Sequence, residues 1–247
     1  MWKEKRLTSL MLKEARSAAD YVAVQLTRDQ DRYAALGAQL RAAPPASIVT
    51  VARGSSDHAA AYCAYLIMAR LGRIVASLPM SLVTLNRAPL QVRDALAIAI
   101  SQSGQSPDVV EPIRYFQAQG ASTVALVNQA DSPLAAAAQW SLPLHAGVES
   151  SVAATKSFIA SLVAGALLTG HWQDDAALLA ALAQLPDALR TACESDWSEA
   201  VQTLVPSDRL MIVGRGIGFP LALEAALKCK ETCAIQAEAF SGAEIKH

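Results

Sequence analysis

"AIAISQSGQSPD", residues 97–108, is the stretch on which the fold turns. Its first four residues finish an apolar run that begins at Ala95 and reads as a buried strand, since a strand covered on both faces needs no polar alternation. Three serines, two glutamines and one glycine then interrupt it within residues 101–106. Ser106 suits a helix N-cap, Pro107 the first helical position and Asp108 the first turn. Val109, Ile113 and Phe116 continue at helical spacing, with Pro112 removing one backbone donor along the way. Strand, polar turn and helix together form the unit of a doubly wound α/β sheet.

The same grammar recurs on either side. Residues 48–52, 73–76, 95–100, 123–127 and 140–144 are short apolar runs separated by helical segments, which predicts five parallel strands. Residues 1–44 read as an N-terminal helical leader, with Leu10, Leu12, Ala15, Ala19, Val22 and Leu26 near helical spacing and a stop at Pro44–Pro45. The predicted class is α/β, doubly wound.

A repeat extends this plan. Residues 48–66 (IVTVARGSSDHAAAYCAYL) and 210–228 (LMIVGRGIGFPLALEAALK) both read strand, Arg-Gly, turn, Ala-rich helix, and Arg53 matches Arg215, 162 positions on. Two tandem copies of one domain are expected, at 45–200 and 201–247. At this offset His247 pairs with Leu85, so the second copy is expected to stop before its middle strands.

Composition narrows the function. The chain has 247 residues, 53% of them hydrophobic, and its 21 basic and 22 acidic side chains leave a net charge of −1. No broad electrostatic footprint for nucleic acid or anionic membrane follows, so an anionic ligand must be held locally. The apolar run 158–169 is too short to span a bilayer, the charged N-terminus has no signal-peptide core, and four scattered cysteines fit a reducing, cytoplasmic setting.

Ligands of open parallel sheets bind beyond the carboxyl ends of the strands, where Ser101 to Ser106 would lie. A helix N-terminus offers unpaired N–H groups, Ser101, Ser103 and Ser106 add hydroxyl donors, and Gly104 allows close backbone approach. This describes a phosphate cradle without a lysine, and no nucleotide-binding P-loop or dinucleotide fingerprint accompanies it. Arg53-Gly54-Ser55-Ser56-Asp57 repeats the chemistry at the end of another strand. A third loop, Glu149 to Lys156, opens another helix and could close over a sugar, or could be a plain capped start with Lys156 in solvent. His58, His145 and His171 show no metal-ligand spacing and are expected to be structural; no metal and no cofactor are expected.

These residues resemble the sugar isomerase (SIS) domain family, and within it the isomerase half of glucosamine-6-phosphate synthase and the SIS-type glucosamine-6-phosphate deaminases. The matching runs are RGSSDHA (53–59), ISQSGQSPD (100–108), ESSVAATKSF (149–158) and 213–247. The resemblance implies a flavodoxin-like five-stranded sheet, and it implies phosphate contacts from Ser55, Ser56, Ser101, Gln102, Ser103 and Ser106, with the backbone of Val152 facing the sugar. It implies that Glu231 moves a proton between C1 and C2 of the open-chain sugar. It further implies that His247 assists ring opening across a dimer interface, and hence a homodimer. Many relatives have Glu-Thr where this chain has Gln105-Ser106.

A carboxylate proton shuttle suits aldose–ketose chemistry. Read without the resemblance, Glu231 is an ion-pair partner on an amphipathic helix. The implied activity is a phosphosugar isomerase or deaminase acting on amino-sugar 6-phosphates. No glutaminase domain precedes the match, and relatives continue past His247 to a tail whose lysine enters the site, so an incomplete enzyme is expected. The alternatives are a non-catalytic phosphosugar sensor, which would not need Glu231 and His247, and a scaffold derived from an enzyme.

Overall fold

The computed structural model describes residues 9–246. Two helices come first, α1 (Leu10–Gln25) and α2 (Gln30–Ala42). There follow β1 (Ser47–Val51), α3 (Ser55–Leu71), β2 (Val75–Ser77), the one-turn α4 (Ser81–Thr84), β3 (Ala95–Ser101) and α5 (Pro107–Ala118). Next are β4 (Ser122–Val127), the short α6 (Pro133–Ala137), β5 (Trp140–Pro143), α7 (Lys156–Gln173), α8 (Ala176–Leu182), α9 (Leu185–Cys193) and α10 (Ser198–Leu204). The described chain closes with β6 (Arg209–Gly214), α11 (Phe219–Cys233) and β7 (Gln236–Ser241).

The first five strands form one parallel sheet in the order β2-β1-β3-β4-β5, with the switch in direction between β1 and β3. The α/β, doubly wound, five-stranded reading therefore holds. Strand β3 shows how sequence sorts the two layers. Leu96, Ile98 and Ile100 face α2, α3 and α7, whereas Ala95, Ala97 and Ala99 face α5. Large branched side chains fill the thick layer, and alanines let α5 lie close to the sheet, as dense packing requires. Pro112 sits inside α5 without ending it. The predicted leader is an α-helical pair over residues 10–42, and it docks on the first domain: α2 packs on α7, α1 on α7 and α9. Gln25 is buried and donates from Nε2 to Ala160 O at 2.8 Å.

Strands β6 and β7 form a separate parallel pair linked by α11. Its register repeats that of the first sheet, since Ile48 pairs with Val75 and Leu210, 162 residues on, pairs with Ala237, also 162 residues on. Helix α11 packs against α3, burying Ala222, Glu224 and Ala226.

Candidate functional site

The turns after β1 and β3 lie side by side at the switch point, because Val51 and Ala99 are paired in register. An ion pair, Arg53 Nη1 to Asp108 Oδ2 at 2.6 Å, ties the first turn to the start of α5. In the second turn Ser101 Oγ accepts from Gly104 N (3.0 Å) and Ser103 Oγ accepts from Gln105 N (3.3 Å). Each hydroxyl oxygen is thus occupied from inside the turn, and its hydrogen remains available to an external acceptor. Gly104 has φ +62° and is buried; a Cβ there would lie 2.2 Å from Ser132 Oγ. Ser106 is the N-cap residue of α5, yet its side chain makes no capping bond, which corrects the expectation that its hydroxyl would close the helix. Ser55 and Ser56 open α3 and are half-buried. Gln102 lines an adjoining open cleft of about 540 Å³ together with Tyr21, Asn128 and Glu149.

The serine-rich turns carry no lysine of their own, but tertiary structure brings one to the first of them. Lys228, on α11, donates from Nζ to Ser55 Oγ at 3.0 Å across 173 residues of sequence. The same ammonium lies 2.7 Å from Glu231 Oε2 and 3.1 Å from Glu224 Oε1. Glu224 is buried, and its other oxygen lies 2.8 Å from His58 Nδ1. The Lys228–Glu224 contact is close in distance but outside hydrogen-bond geometry, so Oε1 has no hydrogen-bond partner. Burial pushes the Glu224 carboxyl up, but the His58 hydrogen bond, the neighbouring Ser55 hydroxyl and the Lys228 charge outweigh it and hold the group below the usual glutamate range. His58, expected to be merely structural, is thus one end of a polar chain, His58–Glu224–Lys228–Glu231, that joins α3 to α11.

Glu231, the implied proton shuttle, is exposed at the end of this chain, within one helical turn of Lys228. His247 lies outside the described residues. His145 pairs with Asp29 at 2.6 Å and His171 with Gln30 at 2.8 Å; both tie the first domain to the segment that begins α2. Lys156 corrects the solvated reading: it is 4% exposed, donates to Val148 O and lies over the Tyr21 ring. Val152 is fully exposed on the third loop. The spacing of Lys228 and Glu231 on an amphipathic helix predicts their ion pair, and it forms; the reach of Lys228 to Ser55, the burial of Glu224 and the loop-binding Glu14 carry no such local sign.

Two hydroxyl-rich turns at helix starts stand on the switch point of an open parallel sheet, in an α/β domain of the doubly wound class. Residues 42–169 match the SIS domain model, and the chain belongs to the SIS domain family. It is 34% identical over 211 residues to glutamine–fructose-6-phosphate aminotransferase (isomerizing) of Zymomonas mobilis, covering 81% of this chain and 35% of that protein. It is 35% identical over 217 residues to the enzyme of that name from Halobacterium salinarum. The chain therefore spans about a third of the length of these relatives. Among solved structures, a provisionally named phosphosugar isomerase of Silicibacter pomeroyi superposes with a TM-score of 0.93 at 42% identity, covering 97% of this chain and 73% of the other. A glucosamine-6-phosphate deaminase of Thermotoga maritima has the same fold, with a TM-score of 0.80 at 21% identity. No helix among the described residues is long and apolar enough to cross a membrane.

Proposed function

We propose that this chain is the phosphosugar-handling part of an isomerase or deaminase that acts on amino-sugar 6-phosphates, converting glucosamine 6-phosphate to fructose 6-phosphate and ammonia or performing the related isomerisation. The observation that carries the reading is the meeting of Lys228 with Ser55 and Glu231, which joins an anion cradle to a carboxylate. The phosphate is held by Ser55, Ser56, Ser101, Gln102, Ser103 and Ser106, with the positive end of α5 and the Lys228 ammonium opposing its charge. The open-chain sugar then extends toward Glu231 and the Val152 backbone. His247 assists ring opening, Glu231 takes the proton from C2 and returns it at C1, and in the deaminase reaction water then adds to the resulting C2 imine and ammonia leaves. The family membership and the printed names of the relatives support this assignment.

The same proposal includes a cytoplasmic homodimer and a second domain copy beginning near residue 201. The repeated β6–β7 register supports that copy, as do Met211 and Val213: they are 69% and 53% exposed at the positions where the first copy has Val49 and the fully buried Val51. Titration with fructose 6-phosphate, followed by an ammonia-release assay on glucosamine 6-phosphate, tests the function. Ser103→Ala is expected to weaken phosphosugar binding by about 1–3 kcal/mol through one unmade anion contact. Binding without turnover in a chain carrying Glu231 would favour the sensor reading, and no binding would favour the scaffold.

A further inference from the structure

The leader helix α1 reaches the third loop with one face. Glu14 and Tyr21 are seven residues, or two helical turns, apart. Glu14 is 7% exposed and accepts from Ser150 N at 2.7 Å and Ser151 N at 3.2 Å, and Ser151 Oγ donates to the same carboxylate. The Tyr21 ring centroid lies 4.4 Å from Lys156 Nζ, and that buried ammonium donates to Val148 O. Gly147, at φ +66°, approaches the ring so closely that a Cβ there would lie 2.5 Å from Tyr21 Cε1. Within the loop itself Glu149 accepts from Thr155 N (2.9 Å) and Ser157 N (3.2 Å). A segment without regular secondary structure is thus gripped from α1 at residues 147, 150 and 151, and at residue 148 through Lys156, on which Tyr21 stacks, immediately before the exposed Val152.

We infer that α1 is a positioning element for the sugar-facing loop: Glu14 and Tyr21 hold residues 147–152 ready for the sugar, so that the loop is ordered on folding and not on binding. The inference deepens the phosphosugar reading and rests on it. Neither residue bonds to the turns at 53–57 or 101–106. The two halves of the ligand therefore report separately: inorganic phosphate needs only the turns, whereas a 6-phosphosugar also needs the loop.

The test is calorimetric titration of the whole chain with fructose 6-phosphate and with inorganic phosphate, alongside amide hydrogen exchange of the free protein. The variants are Glu14→Gln, Tyr21→Leu and the conservative Tyr21→Phe, which keeps the ring. Glu14→Gln turns one of the two acceptor oxygens into an NH2 group, which must then face the N–H of either Ser150 or Ser151. Exchange at 148–155 is expected to rise about tenfold or more while β1 and β3 stay protected. Fructose 6-phosphate is expected to bind about five- to fiftyfold more weakly, and inorganic phosphate within about twofold of the unmodified protein. Tyr21→Leu should behave like Glu14→Gln, and Tyr21→Phe like the unmodified chain. Unchanged loop exchange in Glu14→Gln overturns the inference, as does an equal loss for both ligands. If the unmodified chain binds neither ligand, the phosphosugar reading fails and the ligand role of α1 fails with it, whereas phosphate binding with no preference for the sugar sinks the loop alone.

Discussion

Replacing Gly104 by alanine should separate two costs that the cradle combines. Gly104 holds φ +62°, a region that costs an L-residue about 1–2 kcal/mol. Gly72, at the end of α3, has φ +64° and open space around its absent Cβ, so Gly72→Ala measures that conformational cost alone, about 1–2 kcal/mol. At Gly104 the new methyl would also lie 2.2 Å from Ser132 Oγ, 2.7 Å from Ser132 Cβ and 2.9 Å from Val127 Cγ2. Ser132 cannot give way freely: it is 1% exposed, and its hydroxyl caps α6 by accepting from Ala135 N at 3.3 Å. Displacing it forfeits a cap worth about 1 kcal/mol and overpacks a dense interior by about 1–3 kcal/mol. The expected loss for Gly104→Ala is about 3–6 kcal/mol, against about 1–2 for Gly72→Ala, both read as shifts in urea midpoint at constant m-value. Phosphate affinity should fall in the first variant only. Equal losses in the two variants would refute the idea that the turn is wedged against Ser132 and would leave only its φ to explain the glycine.

Glu224→Ala leaves His58 without its partner and Lys228 with only Ser55 and Glu231, and should cost about 1–3 kcal/mol in urea unfolding; no measurable loss would mean that the polar chain is not coupled. Two glutamates give the fold an acid limit. Burial pushes the Glu14 carboxyl up, but the Ser150 and Ser151 hydrogen bonds and the Lys156 charge hold it below the usual range, and Glu224 is likewise depressed. A depressed folded-state value means that their stabilisation is complete above the ordinary glutamate value near 4.5 and is lost as pH falls through the lower folded value. The stability gap between the unmodified chain and Glu14→Gln should therefore close in acid, and a gap that persists unchanged at pH 2 would contradict the charge argument. Finally, burial pushes the Cys63 thiol up to about 12, so a thiol reagent at neutral pH should label the exposed Cys193 and Cys233 and reach Cys63 only on unfolding.

What the sequence determined by itself was local. Apolar runs without alternation specify buried parallel strands, and a proline after a serine marks the start of α5, because these features depend on the chain's own backbone and on immediate neighbours. The five strands, the N-terminal helix pair and the serine-rich turns were legible for that reason, and Arg53 and Arg215 each follow a parallel strand of matching register. Tertiary structure decided which distant groups meet. Lys228 looks like one more cation on an amphipathic helix until α11 packs on α3 and brings it to Ser55, and Glu14 looks solvated until α1 docks beside the third loop. Charged side chains on helices carry no local sign of burial; their environment is set by the packing of elements more than a hundred residues apart, and that packing brings Lys228 to Ser55 and Glu14 to the third loop.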